Sequence, residues 1–135
     1  MISSAIVIPE SIMRRTKRSL AKSAKRLTPR VKVWLEIDGR YGFGFGLSEI
    51  LQAVERAGSI KQAADDLGKS YRYVWGRIKD AEEAIGQALV ETQVGGQGTQ
   101  RSFLTDRARR LVESFLAMRA AVNEVLAEEF ARRFQ

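Results

Sequence analysis

The sequence predicts a mainly α-helical domain with a small β-hairpin, and three observations carry that prediction. From Gly58 to Gly86, two short amphipathic segments flank a glycine turn. A glycine-rich tip at Gly95-Gly96-Gln97-Gly98 then sits between two short strand candidates, Leu89–Thr92 and Arg101–Leu104. Beyond Thr105, apolar residues recur at helical spacing almost to the end of the 135-residue chain. A hydrophobic fraction of 44% suffices for one modest core in a chain of this length.

Composition narrows the chemistry. The chain has no cysteine, so it carries neither disulfides nor a thiolate metal site. It also has no histidine, which removes the commonest general base and the commonest zinc ligand. The chain is therefore read as no enzyme, with no metal and no cofactor. No apolar run approaches the roughly 20 residues that span a bilayer, so no membrane partner is expected and the expected location is cytoplasmic, at the nucleoid.

The net charge of +7 is unevenly placed. Arg14, Arg15, Lys17, Arg18, Lys22, Lys25, Arg26 and Arg30 stand against Glu10 alone, so residues 1–30 carry the whole of it. Residues 31–135 hold 15 basic and 15 acidic side chains. Two units are expected: a basic N-terminal arm over 1–30, disordered or weakly helical, and a folded domain over 31–135. An arm of this kind tracks phosphates and adds affinity rather than selectivity, or else is a solvated tail. Arg14–Arg15 resembles a twin-arginine export start but lacks the apolar segment that must follow, and the Ser/Arg-rich composition also suits a transit peptide. Ile12, Leu20, Ala24 and Leu27 allow a weak helix that Pro29 would end.

The folded part opens with VKVWLEI, in which Val31, Val33, Leu35 and Ile37 alternate with Lys32, Trp34 and Glu36 as in a half-buried strand. Asp38–Gly39 turns it. Gly42, Gly44 and Gly46 follow as a bent strand or glycine-rich turn, with Phe43 and Phe45 expected to anchor it to the core. The spacing does not fit a dinucleotide-binding loop. Leu47–Ala57 reads as a helix with Leu47, Ile50, Leu51 and Val54 on one face and Gly58 ending it.

Ser59 caps the next helix, on which Ile60, Ala63, Ala64 and Leu67 share a face, and Gly68 supplies a left-handed end. Gly68-Lys69-Ser70 imitates the end of a phosphate loop, but Ala63 stands where that motif needs glycine. Ser70 caps a helix over residues 70–86 whose buried stripe is Val74, Ile78, Ala81 and Ile85. This layout predicts a helix-turn-helix, whose second helix enters the DNA major groove. The hairpin that follows would be the wing of a winged helix-turn-helix. Thr105 caps a long C-terminal dimerisation helix, 106–134, with Ala108, Leu111, Phe115, Met118, Val122 and Val125 on a seven-residue repeat. A homodimer joined through Leu111, Phe115, Met118, Val122 and Val125 is preferred over a helix folded back on the core.

Residues 31 to about 113 resemble the N-terminal winged helix of ModE-type molybdate-responsive regulators, which is similar to the DNA-binding domain of the LysR family. The stretches GSIKQAADDLGKSYRYVWGRIKDAE and LVETQVGGQGTQRSFLTDRARRLVE carry the resemblance. It implies a dimer joined through the first and last helices, with DNA read by the Ser70–Lys79 helix and the wing. ModE-type regulators sense molybdate through C-terminal domains that have no counterpart in this sequence. A stand-alone regulator that does not bind molybdate is expected.

The DNA-contacting candidates follow. Ser70, Tyr71 and Arg72 lie at the start of the recognition helix, where Arg72 suits a bidentate guanine contact. Tyr71 and Tyr73 suit phosphates or thymine methyls. Lys61, Lys69, Arg77, Lys79 and Arg101 suit phosphates, and Gln97, Thr99, Gln100 and Arg101 place polar groups on the wing. Trp75 falls beside the buried stripe, so packing is preferred over DNA contact. The expected function is a sequence-specific DNA-binding transcriptional regulator, with repression the expected direction. A non-specific architectural binder driven by the arm, and a protein-interaction module, are the alternatives.

Overall fold

The structure, a computed structural model, describes residues 9–14, 25–96 and 100–134. Its elements are β1 (Trp34–Ile37), β2 (Arg40–Gly44), α1 (Phe45–Ala57), α2 (Ile60–Leu67), α3 (Tyr71–Ile85), β3 (Val90–Val94), β4 (Gln100–Leu104) and α4 (Asp106–Phe134). One further helical turn lies at residues 10–14, where Arg14 pairs with Glu10 at 3.0 Å, while residues 25–33 are irregular. Leu20 and Ala24 of the expected arm helix lie outside the described residues.

The first strand pair is a hairpin, so the fold has two hairpins rather than one. Ile37 faces Arg40, leaving Asp38 and Gly39 as a two-residue loop with φ of 51° and 77°. Positive φ at both positions is what a type I′ hairpin turn requires. The glycines of β2 give room instead: a Cβ on Gly42 would lie 2.3 Å from Ile37 Cδ1. A register shift between Leu35 and Glu36 bends the pair, and Val33 and Leu35 pack against the core.

The three middle helices follow their apolar stripes. Leu47, Ile50, Leu51 and Val54 of α1, Ile60, Ala63 and Ala64 of α2, and Val74, Ile78 and Ala81 of α3 are buried together. Ala63 and Ala64 are small enough to let α1 and α3 approach α2 closely. Ser59 and Ser70 cap α2 and α3, accepting from the amides of Gln62 at 3.0 Å and Tyr73 at 3.1 Å. Gly68 closes α2 at φ 66°, and the Lys69 amide reaches back to the Ala64 carbonyl at 2.9 Å. That pairing uses carbonyls the helix end would otherwise strand.

Two aromatic expectations are corrected. Helix α1 begins at Phe45, not Leu47, which turns Phe45 outward. It is 38% exposed, with the Arg119 guanidinium 3.9 Å above its ring, while Phe43 alone anchors the core. Phe43 meets Phe115 edge-on at 5.2 Å, and Phe115 is 1% exposed. Phe115 is therefore a core residue of its own protomer and is removed from the expected dimer seam. The seven-residue repeat misassigns it because the first turns of α4 pack on a globular domain, where Ala108, Val112 and Phe115 form the buried stripe. Beyond Phe115 no described residue of α4 is fully buried, and Met118 and Val125 are exposed.

Replacing Phe115 with alanine should cost about 3–5 kcal/mol, read as a lower urea midpoint. Val125→Ala, measured at low protein concentration, should stay within about 0.5 kcal/mol of the parent.

Candidate nucleic-acid interface

Helix α3 presents its first two turns to solvent. Tyr71, Arg72, Tyr73 and Trp75 are all exposed, with Trp75 at 44%. The preference for a packed Trp75 is therefore corrected. At 100° per residue Val74 and Ile78 take the inner face, and Trp75 falls on the flank with Tyr71 and Lys79. The outermost line of the helix runs through Arg72, Gly76, Lys79 and Glu83 by the same geometry.

The cations on this helix lean on its aromatic rings. Lys69 and Arg77 lie 5.7 and 5.9 Å from the centre of the Tyr73 ring, and Arg77 donates to the Tyr73 hydroxyl at 3.0 Å. Lys79 lies 5.7 Å from the Trp75 ring and 3.0 Å from Glu82. Such contacts hold long side chains in place before a ligand arrives, at a gain of about 0.5–1 kcal/mol each on an exposed surface. Arg72 and Lys61 make no ion pair or ring contact with the described residues. Ser70 accepts the cap hydrogen bond on one lone pair of its hydroxyl oxygen, and its hydroxyl hydrogen can still donate. Asp80, Glu82 and Glu83 follow Lys79, so the positive charge of α3 lies ahead of its acidic last turns.

The second hairpin pairs Val90 with Leu104 through Val94 with Gln100. Two carboxylates hold it to the helices. Glu82 of α3 accepts from the amides of Leu89 at 2.8 Å and Val90 at 3.2 Å. Glu55 of α1 accepts from the Leu104 amide at 2.8 Å and from Arg109 at 3.0 and 3.1 Å. The Ser102 amide also donates to the Gly58 carbonyl at 2.7 Å. Thr105 then caps α4, its hydroxyl oxygen accepting from Ala108 at 3.1 Å.

Neither glutamate stands out in the sequence as functional. Each lies in the last turn of its helix, where a carboxylate opposes the helix dipole, and that mismatch is the available signal. The Leu104 amide, and after it Arg109, hold the Glu55 carboxyl below the ordinary value of 4.5 against the opposing effect of burial.

On the wing, Gln100 and Arg101 are exposed, whereas Gln97 and Thr99 lie outside the described residues. Arg101 and Gln93 face Arg56 and Gln62 across an open cleft of about 770 Å³ between the wing and the α1–α2 turn. The cleft opens beside the capped start of α2, a place where backbone amides favour an anion. Among the described residues no group of His, Cys, Asp or Glu could hold a metal ion, and no helix is long and apolar enough to cross a membrane.

Two amphipathic helices at a glycine turn, an exposed basic–aromatic second helix and a hairpin wing define a winged helix-turn-helix DNA-binding domain. Residues 46–109 match the bacterial regulatory helix-turn-helix proteins of the lysR family. Over 66 residues, 49% of this chain and 25% of the relative, the sequence is 33% identical to the DNA-binding transcriptional dual regulator ModE of Escherichia coli K12. Over 63 residues it is 36% identical to the molybdenum transport protein ModE of Herbaspirillum seropedicae, covering 47% and 23% of the two chains. The chain thus spans about a quarter of the length of these curated relatives. Full-length BenM (R156H mutant) shares the fold, with a TM-score of 0.50 at 19% identity over 67% of this chain and 28% of that one.

Because the Glu55 pKa is lowered on folding, its contribution is complete above pH 4.5 and fades as pH falls below that value. Acid titration of stability should therefore show a loss in that range, which Glu55→Gln flattens. Glu55→Ala should cost about 1–3 kcal/mol by stranding the Leu104 amide, and amide exchange should quicken in β4 before the helices.

Proposed function

We propose that this chain is a sequence-specific DNA-binding transcriptional regulator acting as a homodimer, with α3 in the major groove and the wing on the flanking backbone or minor groove. The observation that carries the reading is Arg72, an exposed guanidinium on the first turn of α3 with no ion pair among the described residues, flanked by exposed Tyr71, Tyr73 and Trp75. Guanine recognition needs such a free fork, and thymine methyls suit the aromatic flank. Ser70, Lys61, Lys69, Arg77, Gln100 and Arg101 supply phosphate contacts around it, and Trp75 joins the set. Lys79 takes part through its remaining donors, since Glu82 already holds one.

The E. coli relative, named a DNA-binding transcriptional dual regulator, supports this reading. Repression is the proposed direction, because occupying an operator requires no surface beyond the interface itself. The homodimer rests on α4, whose outer half leaves Met118 and Val125 exposed and Val122 half-buried, while Leu111, packed against the core, reaches that side only at its edge. A second copy would cover that side. Non-specific binding by the basic arm is the second reading, favoured by the charge of +7 in residues 1–30 beside a neutral domain.

Selection of binding sequences from a random pool should return a defined site with the full chain. Arg72→Ala should lose about 1–3 kcal/mol of discrimination at one base pair. No selected site, or an unchanged preference in Arg72→Ala, would refute the recognition-helix reading. In sedimentation equilibrium, Met118→Glu/Val125→Glu should run as a monomer where the parent is a dimer.

A further inference from the structure

The irregular segment before β1 does not leave the domain freely. Leu27, Pro29 and Arg30 lie against Leu126, Phe130 and Phe134 on the last turns of α4, leaving an apolar crevice of about 330 Å³ between them. Phe130 and Phe134 stack at 5.2 Å to form its floor, and Pro29 is half-buried there. An extended chain rises at most about 3.3–3.6 Å per residue against about 1.5 Å in a helix. Residues 25–33 can therefore run alongside the outer half of α4, from the core to its tip.

Three cations ride on this anchored segment. Lys25, Arg26 and Arg30 are exposed and make no ion pair or ring contact with the described residues. Glu129, the carboxylate in the crevice wall, is already held by Arg132 and by Arg133, the latter at 2.7 Å. Arg30 thus lies at the tip of α4, with Lys25 and Arg26 five and four residues before it. Phe130 lies 15 residues past Phe115, about 22 Å along the helix axis beyond the core.

We infer that the anchored segment is a second DNA-contact site, in which Lys25, Arg26 and Arg30 grip backbone phosphates outside the half-site read by Arg72 of the same protomer. The inference rests on the DNA-binding reading above, and it separates selectivity on α3 from grip at the far end of α4. The half-buried Pro29, with Leu27 at the edge of the crevice, sets where those phosphates lie, so the arm acts at a fixed offset rather than as a free tail.

The test compares the selected site as a minimal duplex with the same site extended on each side by one helical turn, about 34 Å. Wild-type full chain should bind the extended duplex more tightly and with a steeper salt dependence. Lys25→Gln/Arg26→Gln/Arg30→Gln should match wild type on the minimal duplex. On the extended one its salt slope should fall by about 0.9 for each phosphate that is no longer neutralised. Leu27→Ser/Phe130→Ser keeps every charge and should forfeit the same gain, with unchanged circular dichroism showing that the domain is folded.

Equal weakening of the triple variant on both duplexes would overturn the inference, because the arm would then act within the half-site. Full gain in the anchor variant would overturn it in favour of a free tail. No effect of the triple variant on either duplex would overturn it in favour of a partner other than DNA. Sequence preference in Arg72→Ala is read independently of duplex length, so the two proposals fail separately.

Discussion

The wing hangs from two carboxylates, and the interface depends on them. Glu82 gathers the amides that open β3, and Glu55 gathers the Leu104 amide that closes β4. A two-stranded hairpin is marginal in water on its own, because it buries little and orders much. Charged acceptors make the stronger kind of hydrogen bond, and both are rooted in helices that also form the core. The wing is therefore fixed relative to α3 by the same residues that end α1 and α3. Lys79 and Arg109 keep the arrangement electrically balanced, at 3.0 Å from Glu82 and Glu55.

The exposed aromatics of α3 solve a related problem. Lysine and arginine lose up to about 2 kcal/mol of rotamer freedom when ordered, which weakens any contact they make on binding. Leaning on Tyr73 and Trp75 restricts Lys69, Arg77 and Lys79 beforehand. Arg72, on the first turn, makes no such contact with the described residues. The arrangement suits a domain with no surplus charge of its own, since selectivity then comes from placement rather than from field strength. The surplus positive charge lies in the basic residues before residue 31.

Helix α4 serves both ends of that division. Its first turns belong to the core through Ala108, Val112 and Phe115, and they transmit the position of the wing through Arg109. Its outer half belongs to no core. One flank there carries the segment around Pro29, and another leaves Met118 and Val125 exposed. A single amphipathic seam would not divide in this way. The change of register after Phe115 separates the stripe that packs on the domain from one that is left exposed.

Much of this was legible in the residues themselves. Ser59, Gly68 and Ser70 announce the ends of helices because caps are local chemistry, settled within a turn of chain. The stripes of α1 to α3, the Asp38–Gly39 turn and the placement of the wing follow from periodicity and turn residues for the same reason. The basic arm and neutral domain were simple counts. Tertiary structure alone decided the rest. Phe45 and Phe43 are two residues apart in a strand-like pattern, yet the start of α1 between them sends one outward and one inward. Phe115 fits a coiled-coil repeat and a core stripe equally well, and only Phe43 across the domain chooses the core. Trp75 lies one helical step from Val74, a difference of about 100° that decides between burial and exposure once α1 and α2 are docked. Glu55 finds the Leu104 amide 49 residues away, a separation no local rule spans. Local rules determined where the elements begin and end, and long-range packing determined which of their faces were left free to act.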